Sequence, residues 1–525
     1  MAFLACMLVC SNGFTQSNGE QAKANLSFEK LDWHNAYIKS ANAAGLATLD
    51  KVFPDYNSFA EANISYKQGN GDFCGPYDPA KTTEISFHTQ AIRKVQKAFV
   101  MGYFTYSLEN RIGAQWNGLF IPGSNPFFMA DSVKGKFRSE TFRTGMKYAH
   151  PLTRNQIIGI SMDYTTAKGA KNKDLRNENA YMDFVVRPSW LWNQKALSLG
   201  LDVGYHRTLE EIEYRKIQTN ENKIFYQFRG NWFYLSETFA SETDNKRIKT
   251  DNAFDGHFQI SYQSDKFSIY NEFGVEKSEG SQKNSAINNK QFGDVEAMQF
   301  GDHLVIHFLK NHRLSGYYNR KDLLGYQILQ LEEEISPQNK VWVTYDRFNV
   351  YVASEETQNV AYSYLQRREG LDISWQIDLG VSMFQRMQKY KIYPYEFVQD
   401  ISTTEVYLGF NKNLKFGRTT LDICPQIAYG TGDGEKNRKG YMAEETTLEE
   451  SENWQLHSML DLEYNMLTCD KLRTQIKLKC AYDLRKSHTK IYAFVNYDFI
   501  KPINADDIFG HQTRNFLTLG LGFSF

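Results

Sequence analysis

The final ten residues, 516–525 (FLTLGLGFSF), constrain this chain more than any other stretch. Leu517, Leu519, Leu521, Phe523 and Phe525 fall on one face of an extended strand, and Thr518, Gly520, Gly522 and Ser524 fall on the other. Chain ends are ordinarily polar and frayed. An end this apolar, closing on an aromatic ring, must be tied into something larger. Two settings supply that: the core of a two-sheet sandwich, or a barrel whose outer face meets lipid.

The same alternation recurs along the chain. In 197–206, Leu197, Leu199, Leu201, Val203 and Tyr205 oppose Ser198, Gly200, Asp202, Gly204 and His206. In 371–382, an apolar face from Leu371 to Val381 opposes Asp372, Ser374, Gln376, Asp378, Gly380 and Ser382. In 472–483, Leu472, Ile476, Leu478 and Cys480 oppose Arg473, Gln475, Lys477 and Lys479. Weaker runs, 454–466 among them, bring the expected total to about 18 strands, with an even number required and 16 or 20 as neighbouring solutions. Each run reaches the roughly 9–11 residues that a tilted strand needs to cross a bilayer. Past residue 20, no window approaches the roughly eighteen uncharged apolar residues of a membrane helix. A mean hydropathy of −0.54 beside 15% aromatic residues suits alternating strands.

The connections separate barrel from sandwich. Short links (Arg93–Lys97, His150–Arg154, Asn193–Lys195, Ser264–Lys266, Lys310–His312) alternate with long ones (110–135, 166–179, 208–250, 277–293, 430–453). Tight turns at one end and long loops at the other are the habit of a transmembrane antiparallel up-and-down β-barrel. The parity fails between 322 and 415, where Leu323–Glu334 is ambiguous. One strand there must be merged or split.

Residues 1–16 read as a signal peptide, with the apolar run 2–10 as its core. Residues 17–56 form an N-terminal segment for the periplasmic mouth or the lumen, and 57–525 form the barrel. Within 27–48 a short helix or compact turn is expected, with Trp33, Tyr37 and Ile38 on one side and Gly45 as its stop. Of the cysteines, Cys480 reads as a small apolar residue, and Cys74 is open to a disulfide whose partner the spacing does not name.

A charge facing lipid costs several kcal/mol near the midplane, so Asp202, Asp372, Asp378, Asp461, Glu463, Arg473, Lys477 and Lys479 are assigned to the lumen. They serve either a self-paired, wetted interior or an acidic pore that prefers cationic or neutral solutes. His303 and His307 share a strand face about 13 Å apart, too far for one metal ion without a third element. Trp190, Trp192, Trp232, Phe233 and Tyr234 fit aromatic girdles. The apolar loop 224–235 either docks a partner or packs as a hairpin. A net charge of −1 gives no support for a nucleic-acid partner. No phosphate loop, paired-cysteine or metalloprotease motif is present. No catalytic, cofactor or metal residues are assigned, and no enzymatic activity is expected.

The strand pattern from Ser58 to Phe525, the SANAAGL stretch (Ser40–Leu46) and NPFFMADSV (Asn125–Val133) resemble the uncharacterised outer-membrane β-barrel families of the Bacteroidota. The C-terminal Leu517, Leu519, Leu521, Phe523 and Phe525 resemble the signal read by the barrel assembly machinery. The resemblance implies a Gram-negative envelope barrel amid outer-membrane lipids and lipopolysaccharide. It implies work in nutrient uptake, as a porin-like channel or binding protein for a small polar solute. The alternative is a non-conducting accessory barrel whose loops hold a surface lipoprotein or uptake receptor. The chain does not resemble a receptor with a large N-terminal plug domain, because too little chain precedes Ser58.

Overall fold

A computed structural model describes residues 27–52, 58–217, 223–238, 246–264, 266–287, 289–309, 311–336, 339–368, 373–441, 455–484, 489–504, 509 and 512–525. The proposed signal peptide and Asp372 lie outside them. The wall begins with β1 (Ser58–Asn70), β2 (Lys81–Val95), β3 (Ala98–Ala114), β5 (Gly135–Pro151), β6 (Gln156–Lys171), β7 (Arg176–Gln194) and β8 (Leu197–Arg215), with a short loop strand β4 (Phe127–Ala130) between β3 and β5. Two further loop strands, β9 (Ile224–Arg229) and β10 (Tyr234–Thr238), precede β11 (Lys246–Gln263), β12 (Phe267–Asn284), β13 (Lys290–Phe308) and β14 (His312–Ser336). The wall continues with β15 (Asn339–Arg367), β16 (Ile373–Ile392), β17 (Tyr395–Phe416), β18 (Thr419–Tyr441), β19 (Asp470–Asp483), β20 (Lys490–Asn504) and β21 (Arg514–Ser524). Eighteen of these strands form one antiparallel sheet, and β1 pairs with β21 to close it. Strand number and architecture match the sequence expectation.

Closure removes every edge that would leave N–H and C=O groups unpaired in lipid. Alternation then sorts the side chains. Leu201, Val203, Phe254, Leu379 and Leu521 lie half exposed or more on the convex face, a belt suited to lipid. Leu519 and Phe523 share that face, while Gly520 and Gly522 face inward, where the Phe494 and Tyr492 rings fill the space. Cys480 is exposed on the outer face, and the described cysteines are free, so the disulfide at Cys74 is not formed.

Three strand assignments change. Residues 454–466 are not a strand: His457–Thr468 is a helix, so Asp461 and Glu463 are helical side chains in a loop. Leu323–Glu334 belongs to the 25-residue β14, and 341–352 and 358–366 are one 29-residue β15. Merging those runs and removing the false strand restores the parity. The expected long links 166–179 and 277–293 are mostly strand, because β6, β7, β12 and β13 run on past the apolar belt before turning.

Candidate functional site

The lumen is stoppered at both ends, and each stopper is built around one of the two stretches that the sequence singled out. At the short-turn end the stopper is residues 27–52. Ser27 caps α1 (Phe28–His34) by accepting a hydrogen bond from the Lys30 N–H at 3.2 Å. The Asn35 side chain then accepts from the Tyr37 N–H at 3.0 Å and opens a 3-10 turn (Ala36–Ile38). A second 3-10 turn, Ala43–Thr48, carries the Ala-rich stretch and leads into α2 (Leu49–Val52). Trp33, Tyr37 and Ile38 are each buried, but only Tyr37 and Ile38 share one cluster, while Trp33 packs against His307. Gly45 is not a helix stop. A Cβ on it would lie 2.0 Å from the Tyr37 ring, so glycine is what lets the turn fold over that ring.

SANAAGL makes the polar contacts to the wall. The Asn42 amide donates to the Trp190 carbonyl at 3.0 Å and to Gln259 at 2.8 Å. The Ala44 N–H donates to the Ser189 hydroxyl at 3.1 Å. Glu272 accepts from the Ser40 hydroxyl and from the Ala41 N–H. The Lys147 ammonium donates to the carbonyls of Ile38 and Ser40 at 3.0 and 2.7 Å. Ser40, Asn42, Ala43, Ala44 and Leu46 are buried almost completely. Small side chains let the backbone approach the wall, and Gly159 on β6 lets the wall approach in return. A Cβ at Gly159 would meet the Ala44 nitrogen at 2.4 Å. Burial lowers the His34 pKa from its ordinary range to about 4, helped by Arg367, Lys30 and Arg313, and pushes the Tyr37 phenol up to about 12.

At the long-loop end, NPFFMADSV supplies β4, which pairs with β9, which in turn pairs with β10. Phe128 stacks on Phe228 at 4.5 Å, Tyr77 on Trp232 at 5.0 Å, and Phe233 on Tyr390 of the wall at 4.2 Å. The helix α3 (His457–Thr468) closes the layer. Glu463 accepts from the Trp232 indole at 3.0 Å and from Arg386 of β16 at 2.9 Å. Asp131 pairs with Lys171 and accepts from the Leu175 N–H, and burial raises its pKa. Trp232 and Phe233 are thus stopper core rather than girdle, and loop 224–235 is a packed hairpin rather than a free docking surface.

Between the stoppers one wall is interlocked. Arg187 grips both Asp255 oxygens at 2.9 and 2.8 Å, and Asp202 accepts from His257 at 2.8 Å and from Gln259 at 2.7 Å. Asp202, Asp255 and His257 converge closely enough for a metal ion, but Arg187 already supplies the opposing charge and His257 is hydrogen-bonded to Asp202. His206 meets Asp183 at 2.6 Å through the same Nε2 that lies 3.4 Å from Thr208, so this trio has no relay across two ring nitrogens. His303 and His307 approach Tyr270 and Trp33 respectively, and His312 lies against Tyr362.

The remaining assigned residues are dispersed. Asp378 accepts from Ser363 and from Gln376 at 2.7 Å. Arg473 holds Asp498 through two nitrogens. Lys479 lies 4.4 Å over the Tyr492 ring, Lys477 is exposed, and Asp461 of the helix α3 stands 3.7 Å from Lys436 of β18. Sequence reasoning missed Lys147, Asp255, Arg386 and Lys67. Strand parity would have flagged each as inward-facing, but nothing local says what it meets.

No curated protein resembles the chain in sequence. Among solved structures, the ferric preacinetobactin receptor BauA of Acinetobacter baumannii is similar at 9% identity and a TM-score of 0.40, covering 89% of this chain and 80% of that one. The outer membrane transporter YddB of Escherichia coli is similar at 8% and 0.37, with the same coverages. A mutant of the monoaromatic hydrocarbon channel TodX is similar at 9% and 0.32, covering 92% of each chain. A model described as a family of unknown function (DUF6850) matches residues 46–525, and the chain belongs to that family.

Proposed function

We propose that this protein is an outer-membrane barrel for uptake of a small polar solute, shut at rest by its two stoppers. The observation that carries the reading is the wall left free between them. Lys67, Lys321, Glu355 and Lys477 point inward yet stay exposed, so the lumen keeps a wetted lining rather than a packed core. Proteoliposomes should pass small sugars slowly with the native chain and at least tenfold faster once both stoppers are loosened, as in a Gly159→Val/Glu463→Ala double variant. If neither protein passes solute above empty liposomes, the reading fails.

A second reading is an accessory barrel that holds a surface lipoprotein or receptor. The β14–β15 hairpin favours it, because Leu329, Leu331, Ile335 and Tyr345 are exposed beyond the pairing of the neighbouring strands. A partner that co-purifies with the native chain and is lost when 328–350 is shortened would support it, and unchanged co-purification would count against that hairpin.

A further inference from the structure

Sequence register aligns four inward side chains on neighbouring strands. Lys477 of β19 pairs with Asn496 of β20, Asn496 with Thr518 of β21, and Thr518 with Lys67 of β1. One row away lie Lys479, Phe494, Gly520 and Ser65, in the same order. Lys67 and Lys477 are exposed. Among the described residues, none of Lys67, Lys477 and Lys479 forms an ion pair, in contrast to the interlocked wall opposite. Acids are near without engaging. Asp422 sits across from Lys479 but accepts from Asn413 at 2.5 Å, and Lys479 turns to the Tyr492 ring. Glu84 sits across from Lys67, whose ammonium lies 5.6 Å from the Phe516 ring. Lys477 has Cys424 and Asn496 as its cross-strand neighbours.

The row also carries unspent polar capacity. Asn496 Oδ1 is buried and has no hydrogen-bond partner among the described residues, so a ligand in the row meets it only after the amide turns toward the lumen. Thr518 and the Ser65–Ser86 hydroxyl pair add further donors and acceptors beside it. At about 4.8 Å per strand the Lys477 and Lys67 backbones stand roughly 14 Å apart, so two extended side chains leave room for one small ligand. Ammonium groups at both ends with amide and hydroxyl groups between them fit an anion that itself bears hydroxyls.

We propose that the lumenal row Lys477–Asn496–Thr518–Lys67 binds a small hydroxylated organic anion of the sugar-acid type. This rests on the uptake reading for its purpose but not for its test. Calorimetric titration of the full chain in detergent should show gluconate binding at least tenfold more tightly than uncharged sorbitol. A Lys67→Gln/Lys477→Gln variant should lose that preference while keeping its heat-modifiable, folded mobility on gels. The charge-conserving Lys477→Arg should retain it. Equal affinity for both probes, binding of neither, or an unchanged double variant would each overturn the site. A barrel that binds gluconate but passes no solute in liposomes would keep the site and sink the uptake reading. One that passes solutes yet ignores gluconate would do the reverse.

Discussion

Glu463 on the loop helix α3 and Arg386 on wall strand β16 meet at 2.9 Å across 77 residues of chain. The pair is mostly shielded from solvent, and Glu463 also takes the Trp232 indole hydrogen. One carboxylate therefore fastens the helix, the β9–β10 hairpin and the wall to one another.

Removing that carboxylate should loosen the upper stopper without unfolding the barrel. Glu463→Ala strands a shielded guanidinium whose other contact is Gln399 at 3.0 Å. Breaking such a pair costs about 3 kcal/mol, equivalent to roughly a hundredfold in an opening equilibrium. Hydrogen exchange should accelerate by about that factor in α3 and in 224–238, while β16 stays protected. Unaltered exchange in α3 would show that the ion pair does not hold the stopper.

At the other end, Gly159→Val tests contact between wall and stopper. Its Cβ would collide with the Ala43–Ala44 backbone, and overpacking of this kind typically costs about 1–3 kcal/mol. Residues 27–50 should then become sensitive to added protease while the barrel keeps its heat-modifiable mobility. Equal resistance in variant and native protein would mean that the segment does not depend on that approach.

The lower stopper should also weaken in acid. His34 has a folded pKa near 4 against an ordinary 6.5, so the released segment binds a proton that the docked one refuses. Docking is therefore at full strength above about pH 6.5 and is lost progressively as the pH falls toward 4, by at most about 3 kcal/mol. Arg313 and Arg367 of the wall and Lys30 of α1 oppose the incoming charge. Protease sensitivity of 27–50 should rise across that window in the native chain and rise less steeply in His34→Gln, where His307 against Trp33 is the buried imidazole that remains. Parallel curves would remove His34 as the cause.

How much of this was legible beforehand depends on the range of each interaction. Alternation within 197–206 depends only on neighbours, so strands such as β8 could be read directly. The β14 and β15 runs were cut in the wrong places because their outward side chains turn polar at Arg320, Asp322 and Glu356, which breaks the apolar pattern without breaking the strand. Residues 454–466 alternate by accident. Their helix is held by tertiary contacts of Leu460 and Glu463, and propensity yields to such contacts. The two stopper stretches stood out by composition, yet their roles lie in pairs such as Asn42–Gln259, separated by 217 residues. No local rule supplies that distance. The Lys67–Lys477 row needs the register of three strand pairs at once.

The chain terminus offers the last test. Phe525 exchanges two backbone hydrogen bonds with Ala60, each 2.9 Å, and its ring stacks on Phe523 at 5.9 Å. These bonds complete the seam between β21 and β1 at the short-turn end, where an unpaired backbone group would otherwise face the membrane boundary. Deleting Phe525 removes both bonds and the last outward aromatic ring, but leaves the ten β1–β21 register pairs from Glu61–Ser524 to Asn70–Asn515 in place. The folded barrel should therefore survive once formed, and the loss should fall on assembly. In cells, the shortened chain should reach the outer membrane at a tenth of the native level or less, with the remainder degraded. Refolded in detergent, it should keep the gluconate affinity of the native chain. Native levels in the membrane would show that Phe525 is not part of the signal that brings this barrel there.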